Sequence, residues 1–160
     1  MSKPQEVDIV IIGAGPSGLA AANYIMHEGL RFLVLESGNS IEERIVSSSE
    51  QLINGVGGAG LFSDGKLSFF PSGHALWNLQ STHVLRNAFN WLCNLISDFF
   101  PDTPSFPDVL SMQNEIGHTN RYVQKSYKSF TVNKKQREEL LHRLVCPISH
   151  RIKLKNNVVK

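Results

Sequence analysis

Residues 7–36 decide the fold and read VDIVIIGAGPSGLAAANYIMHEGLRFLVLE. Residues 7–12 form a nearly continuous, β-branched apolar run, which is typical of a strand buried on both faces of a parallel sheet. The alanine-rich stretch from residue 19 to about residue 28 predicts a helix that packs closely on such a sheet. A second apolar run, at residues 32–35, predicts a second buried strand. We therefore expect a strand–helix–strand unit of an α/β protein.

The turn between the first strand and the helix is a GxGxxG sequence. It consists of Gly13, Ala14, Gly15, Pro16, Ser17 and Gly18. Gly13 permits the tight turn, Gly15 lets a pyrophosphate approach the backbone, and Gly18 lets the helix pack closely on the strand. Pro16 suits the first helical turn, where an N–H group has no partner within the helix. The free N–H groups and the positive dipole end of the helix predict a phosphate-binding site.

A carboxylate closes the second predicted strand. Glu36 lies 23 residues after Gly13, close to the spacing at which a dinucleotide fold places an acid on the ribose hydroxyls. A carboxylate there disfavours a 2′-phosphate, so a ligand of the NADP type is not expected in this half. Ser37 follows directly and joins the predicted binding residues. Gly29 is predicted to end the intervening helix.

A second glycine-rich segment occupies residues 55–66 and reads GVGGAGLFSDGK. Five glycines in twelve residues are incompatible with a stable helix or a central strand. The bare backbone of such a segment can follow a ligand surface, and its amides can bind a phosphate. A flexible linker would carry Ser, Gln or Pro instead of Leu61, Phe62 and Leu67. We therefore predict a second ligand-facing loop, which a simple NAD-dependent dehydrogenase would not need.

Both motifs resemble those of a known family. The segments EVDIVIIGAGPSGLAAANYI and LVLESG resemble the FAD-binding N-terminus of flavoprotein oxidoreductases with a glutathione-reductase-like nucleotide fold. The segment GVGGAGLFSDGKL is similar to a loop of the GGAGxFSDGKL type in a subgroup of FAD-dependent dehydrogenases. The resemblance extends over about residues 6–70 and implies that the cofactor is FAD.

The resemblance also assigns a place on FAD to each motif. The loop from Gly13 to Gly18 would hold the pyrophosphate, and Glu36 would bind the adenosine ribose. Four residues would lie along the pyrophosphate and ribitol toward the flavin ring: Gly57, Gly58, Ala59 and Gly60. Ser63 and Lys66 would reach the isoalloxazine edge. Near the end of the chain, Val158 would contact the adenine through its backbone.

The expected fold class is α/β. More fully, we expect a Rossmann-like three-layer FAD/NAD(P)-binding fold that is incomplete and carries a helical and strand insertion. Residues 1–73 are predicted to form the FAD-binding segment with its glycine-rich flavin loop. Residues 74–130 would form the insertion, as a cap or part of a substrate domain. Residues 131–160 would return to the nucleotide-binding sheet.

Apolar residues at helical spacing predict a long amphipathic helix from about residue 76 to residue 100. One stripe consists of Leu85, Phe89, Leu92, Ile96 and Phe99, and the adjacent one of Val84, Ala88, Trp91 and Leu95. Packing in a core is the favoured interpretation, and a cap or a subunit contact is the alternative. Residues 120–132 have the composition of a strand. A helix at residues 134–145, capped by Asn133, and a strand at residues 152–159 are then predicted.

Charge is distributed unevenly along the chain, although the net charge is only +2. Residues 1–73 carry −4, whereas residues 74–160 carry +6. The basic end raises nucleic-acid binding as an alternative, but its charges are spread out and no helix-turn-helix or zinc pattern is present, so this partner is disfavoured. The six histidines and two cysteines lack metal spacing, so no metal is expected. Without a signal peptide or an apolar run of membrane length, a cytoplasmic protein is expected.

Several features that the resemblance implies are missing from the 160 residues. Such enzymes carry a third nucleotide-contacting segment with a Gly-Asp pair and a larger substrate domain, and no Gly-Asp pair occurs here. We therefore expect an FAD-dependent dehydrogenase or its N-terminal part, present as a fragment, a truncated product or one part of a split enzyme. The alternative is a truncated, non-catalytic dinucleotide-binding module that binds weakly or only with a partner chain. NAD in place of FAD remains a third hypothesis, and no catalytic residue is assigned.

Overall fold

The computed structural model describes residues 6–46, 52–73, 81–108, 127–156 and 158. The strands in these residues are β1 (Ile9–Ile12), β2 (Phe32–Leu35), β3 (Lys66–Ser68), β4 (Ser129–Thr131) and β5 (Ile152–Lys153). The α-helices are α1 (Pro16–Met26), α2 (Ile41–Val46), α3 (Thr82–Ile96) and α4 (Lys134–Val145). Two 3-10 helices span Gly58–Phe62 and Cys146–Arg151. None of the described helices is long and apolar enough to cross a membrane.

The chain divides into two compact units. Unit 1 comprises Met1–Gly65 and Val132–Lys160, and unit 2 comprises Lys66–Thr131. The structure divides the chain after Gly65, whereas the sequence predicts a boundary after residue 73. The physical reason for the earlier division is that β3 pairs with β4, so residues 66–68 belong with the inserted unit.

Unit 1 is built on a parallel sheet with the strand order β1-β2-β5. β1 pairs with β2 in a register that places Ile9 opposite Phe32 and Ile12 opposite Leu35. β2 pairs with β5 in parallel on its other side. The α/β fold class is confirmed, because α1 joins the parallel strands β1 and β2 and a parallel pair needs such a crossover.

The two faces of this sheet differ in exposure. Phe32 and Val34 are buried, and Ile11 lies on the face covered by α1, where its side chain approaches Gly18. On the opposite face Val10 is 49% exposed and Ile12 is 69% exposed. The expectation that β1 is buried on both faces is therefore wrong for the part of the chain that the structure describes. The apolar run reflects a strand that α1 covers on one face only.

Local signals set the ends of α1. Gly15 is its N-cap with φ −71° and ψ 177°, and Pro16 occupies the first helical position. Pro16 fits there because its missing N–H group would have no acceptor within the helix. After the helix, Gly29 takes the left-handed conformation with φ +71°, which a glycine adopts without steric cost. The helix therefore begins and ends where the sequence predicts within about two residues.

The final helix also follows the sequence. The Asn133 side chain accepts a hydrogen bond from the Gln136 N–H, and the Gln136 side chain accepts one from the Asn133 N–H, both at 2.9 Å. This reciprocal capping box fixes the start of α4, and the prediction for residues 134–145 is confirmed. The strand predicted at residues 152–159 is shorter, because Lys155 adopts φ +57° and leaves the extended conformation.

Unit 2 contains the antiparallel pair β3–β4 and the helix α3. The Phe69 ring lies 5.3 Å from the Phe89 ring and 5.8 Å from the Phe130 ring, measured between centroids, in edge-to-face geometry. Leu85, Phe89 and Ile96 of the first predicted stripe are buried, so the core-packing interpretation is confirmed for them. Helix α3 is shorter than predicted, and part of the predicted strand at residues 120–132 lies outside the described residues.

Candidate functional site

The first glycine-rich loop, residues 13–18, connects β1 to α1. Gly13 donates its N–H to the Leu35 carbonyl at 2.7 Å and has φ +96°, so the turn is fastened to the end of β2. The first bond of the helix runs from the Leu19 N–H to the Gly15 carbonyl at 2.9 Å. Within the described residues, no acceptor is found for the N–H groups of Gly15, Ser17 and Gly18. The helix start thus presents three open donors and the positive end of its dipole.

Two glycines of the first loop face different surroundings. A Cβ atom added to Gly15 would meet no heavy atom within 4 Å. A Cβ atom added to Gly18 would lie 2.0 Å from the Gly13 carbonyl oxygen and 3.4 Å from the Ile11 side chain. Gly15 therefore borders open space beside the free donors, whereas Gly18 is required for the close approach of α1 to β1.

The second glycine-rich loop, residues 55–60, packs directly against the first. Gly57 donates its N–H to the Ala14 carbonyl at 2.8 Å. A Cβ atom on Gly58 would lie 3.3 Å from Gly15 Cα, and one on Gly60 would lie 3.1 Å from the Pro16 ring. The two loops together form one surface, which we call the cradle.

The second loop differs from its sequence prediction in one respect. The sequence predicts no stable helix in this segment, but Gly58–Phe62 forms a short 3-10 helix. Its N-cap, Gly57, takes φ +88°, a left-handed conformation that favours glycine. Leu61 supplies the reason for the turn, because its buried side chain anchors an otherwise glycine-rich stretch.

Glu36 joins the two loops. One carboxylate oxygen, Oε2, accepts a hydrogen bond from the Ala14 N–H of the first loop at 2.7 Å. The other, Oε1, accepts from the Gly55 N–H of the second loop at 3.1 Å and from the Gly38 N–H at 2.9 Å. Ser37 adds a longer contact from its hydroxyl to Oε1 at 3.4 Å. Glu36 is only 5% exposed, so these donors replace the water that the carboxylate loses on folding.

The hydrogen bonds keep Glu36 ionised. Burial by itself raises the pKa of this carboxyl, but the N–H groups of Ala14, Gly38 and Gly55 outweigh burial, and the pKa lies below its ordinary value of 4.5. A carboxyl whose pKa is lowered by folding stabilises the protein above its unfolded-state pKa. That contribution is lost as the pH falls through the folded-state pKa.

Acid should therefore weaken the cradle. We expect the free energy of unfolding to fall as the pH drops below about 4.5, the ordinary pKa of a glutamate, and we expect Glu36→Gln to remove part of that dependence. Urea unfolding at several pH values measures this, with Glu28→Gln as the matched control because Glu28 is an exposed glutamate in the same unit. Unchanged acid sensitivity in Glu36→Gln would show that the carboxylate is not its source.

Arg44 is a site residue that the sequence motifs missed. It lies in α2 and is fully buried. Its guanidinium donates hydrogen bonds to the carbonyls of Leu52, Gly55, Val56 and Gly58. One sequence signal could have found it: Arg44 lies three residues after the buried Ile41, so both side chains share one face of the helix.

The other predicted residues, Ser63, Lys66 and Val158, have different surroundings in the structure. The Ser63 hydroxyl donates to the Gly60 carbonyl at 3.0 Å and accepts from the Gly65 N–H at 3.1 Å, so it closes a turn. Lys66 begins β3 in unit 2 and lies over the Tyr127 ring at 5.7 Å. Val158 is 56% exposed beyond β5. In the described part of the chain, no group of three His, Cys, Asp or Glu side chains could hold a metal ion.

Comparison with known proteins relates the cradle to several enzymes. The model of the Thi4 family matches residues 1–62, which include both loops and Glu36. The thiamine thiazole synthase of Pyrobaculum calidifontis is 30% identical over an aligned length of 90 residues, and the alignment covers 50% of this chain and 32% of that protein. The thiamine thiazole synthase of Methanococcus vannielii is 61% identical over 31 residues, or 19% of this chain and 12% of that protein.

Two further proteins show similarity outside the thiazole synthases. The 3-(3-hydroxy-phenyl)propionate/3-hydroxycinnamic acid hydroxylase of Mycolicibacterium gilvum is 32% identical over 109 residues, which cover 66% of this chain and 17% of that protein. The structure of L-amino acid deaminase from Proteus vulgaris covers 97% of this chain and 41% of its own, with 15% identity and a TM-score of 0.44. The chain spans about a third of the first thiazole synthase. It is thus similar, over the segment that forms the cradle, to the Thi4 family.

Proposed function

We propose that this chain binds FAD through the cradle and is the cofactor-binding part of a flavin-dependent oxidoreductase. One observation carries the proposal: the N–H groups of Gly15, Ser17 and Gly18 have no acceptor within the described residues, and a Cβ atom on Gly15 would meet open space. A helix start of this kind favours a phosphate group. The resemblance of both loops to those of flavoprotein oxidoreductases supports FAD as the source of the phosphates.

Each part of the cradle has a role in the proposal. Gly15, Ser17 and Gly18 would donate to the pyrophosphate, and the second loop would follow it toward the flavin. Glu36 would bind the ribose through Oε2, which accepts one protein hydrogen bond, whereas Oε1 accepts at least two. We extend the proposal to Ser63 and Lys66 at the flavin edge and to the Val158 backbone at the adenine.

FAD, when bound, supplies the redox chemistry, whereas the chain supplies binding and orientation. The buried carboxylate of Glu36 holds the two loops together, so little loop ordering remains to oppose binding. The thiazole synthases and the hydroxylase act on different molecules by their names. The proposal therefore assigns FAD binding to this chain and names no substrate.

A second candidate is a dinucleotide-binding module that requires a partner chain and has no turnover alone. The exposed sheet face favours it, because Val10 and Ile12 present apolar surface that parallel sheets normally bury. The two candidates share FAD binding and differ in turnover. Reduction of an artificial electron acceptor by the FAD-loaded chain, with NADH as the electron donor, would favour the first candidate, and no reduction would favour the second.

A titration of the purified protein with FAD tests the shared claim. We expect the flavin absorption bands to shift and the melting temperature to rise. FAD at 100 times Kd should add about 2.7 kcal/mol to the free energy of unfolding. Gly15→Ala is the matched variant, because Gly15 has φ −71° and an added Cβ meets only open space. It should fold normally and bind FAD at least about tenfold more weakly, since its methyl group occupies the phosphate position.

Two results would contradict the claim. Wild-type protein that binds no FAD would remove FAD as the ligand, and tighter binding of NAD in the same titration would replace it. Equal FAD affinity in Gly15→Ala and the wild type would move the site away from the first loop.

A further inference from the structure

Arg44 is a buried cation that the proposed binding function does not use directly. Its exposed fraction is 0%, and among the residues that the structure describes it is the largest fully buried side chain. Nη1 donates to the carbonyls of Gly55 at 3.3 Å and Val56 at 2.5 Å. Nη2 donates to those of Leu52 at 3.1 Å and Gly58 at 2.9 Å. Such a charge is retained in an interior only where its donors are satisfied.

The guanidinium adds to the small side-chain core of the second loop, which consists of the buried Val56 and the buried Leu61 that follows the loop. A segment with glycine at positions 55, 57, 58 and 60 has little apolar surface of its own to bury. Four carbonyls that converge on one planar group also fix the path of the loop. The Phe62 ring lies 5.1 Å from the guanidinium carbon and adds a cation–π contact.

Gly55 links Arg44 to Glu36. The Gly55 carbonyl accepts a bond from Arg44, and the Gly55 N–H donates to Glu36. Gly55 has φ +103°, and a Cβ atom there would lie 2.5 Å from Arg44 Cδ, so the fit depends on glycine. Glu36 also accepts a hydrogen bond from the Ala14 N–H of the first loop. A continuous series of hydrogen bonds therefore runs from Arg44 in α2 through Gly55 and Glu36 to the first loop.

We propose that Arg44 is a positioning residue that holds the second loop in the conformation that the cofactor requires. The proposal rests on the proposed function and deepens it, because it identifies what prepares the site for a flavin dinucleotide. Arg44 acts through the loop carbonyls and not on the cofactor itself. Arg44 keeps the second loop in its binding conformation before the ligand binds. Loss of Arg44 therefore lowers the affinity for FAD, because the loop spends less time in that conformation.

The expected effect follows from population arithmetic. If the loop without Arg44 spends one tenth of its time in the binding conformation, the apparent Kd rises about tenfold. A lysine at this position keeps the charge but offers a single donor centre in place of the planar fork. We therefore expect Arg44→Met to weaken FAD binding by about tenfold or more and Arg44→Lys to recover part of that loss.

The experiment separates positioning from general stability. Arg44→Met, Arg44→Lys and the control Ile148→Ala are compared with the wild type. Ile148 is fully buried in the 3-10 helix Cys146–Arg151, which packs on α1, α4 and β2. Its truncation lowers stability without changing the carbonyl contacts of Arg44. Three quantities are measured: Kd for FAD, the urea midpoint, and hydrogen exchange of the amides in residues 52–60 without ligand.

The expected result is selective. Arg44→Met should accelerate exchange in residues 52–60 and raise Kd, whereas Ile148→Ala, at a similar loss of stability, should leave both near wild-type values. The proposal would be overturned if residues 52–60 of Arg44→Met exchanged their amide hydrogens as slowly as those of the wild type. It would also be overturned if Arg44→Met and Ile148→Ala lost equal affinity for FAD. If the wild type binds no FAD, the proposed function fails, and the exchange measurement still decides whether Arg44 holds the loop.

Discussion

Gly18→Ala should destabilise the protein by about 3 kcal/mol, at the upper end of the usual cost of overpacking. The added Cβ would lie 2.0 Å from the Gly13 carbonyl oxygen, which is a backbone atom. Gly13 cannot move away easily, because its N–H is bonded to the Leu35 carbonyl at 2.7 Å. Relief therefore requires α1 to move away from β1. Denaturant unfolding measures the loss of stability, and thermal unfolding should show a melting temperature lower by about 10 °C.

Gly15→Ala is the control for Gly18→Ala, since both add one methyl group to the same loop. It should cost about 1 kcal/mol or less, which is the usual penalty for alanine at an N-cap. A Gly18→Ala variant as stable as Gly15→Ala would mean that α1 does not pack on β1 as closely as described.

Glu36→Ala should have the second large effect: the free energy of unfolding should fall by about 3–5 kcal/mol, and FAD binding should be lost. The substitution leaves the N–H groups of Ala14, Gly38 and Gly55 without their acceptor. Each unsatisfied buried donor costs about 1–3 kcal/mol, and water entering the vacated space offsets part of the sum. Arg44 also loses the nearby negative charge that favours its protonated form. Urea unfolding at neutral pH provides the measurement.

Glu36→Gln is the matched variant for Glu36→Ala. Glutamine keeps the shape and one acceptor oxygen but turns an NH₂ group toward backbone donors. The free energy of unfolding of Glu36→Gln should therefore lie between those of the wild type and Glu36→Ala. A Glu36→Ala variant within about 1 kcal/mol of the wild type would contradict the joining role of the carboxylate.

Local signals in the sequence predicted much of the fold. The ends of β2 and α4 follow the apolar run at residues 32–35 and the capping residue Asn133. Pro16 and Gly29 likewise mark the ends of α1. These predictions succeed because a cap, a fixed φ angle and a hydrophobic period act within a few residues. The burial of β1 was mispredicted because it depends on which elements cover the sheet. The length of β5 was mispredicted because Lys155 leaves the extended conformation.

The site was predictable in its parts and not in its assembly. The glycines at positions 13, 15 and 18 and the acid at position 36 are visible as a spaced pattern. The carboxylate of Glu36 accepts hydrogen bonds from backbone N–H groups of both loops. These contacts are not visible in the sequence, since Ala14 and Gly55 are far apart along the chain. Arg44 was missed because its partners are carbonyls, which every residue carries and no sequence pattern marks.

Local sequence signals were enough to predict a strand–turn–helix–strand unit, which the structure confirms, and they predict a phosphate site at the start of the helix. Glycine spacing and apolar runs are local, and they restrict the backbone without reference to the rest of the chain. The contacts of the second loop with the first, through Gly57 and Ala14, and with Arg44 and Glu36 became visible in the folded structure alone. The physical reason is that buried charges are stabilised by whichever distant backbone groups the fold brings to them.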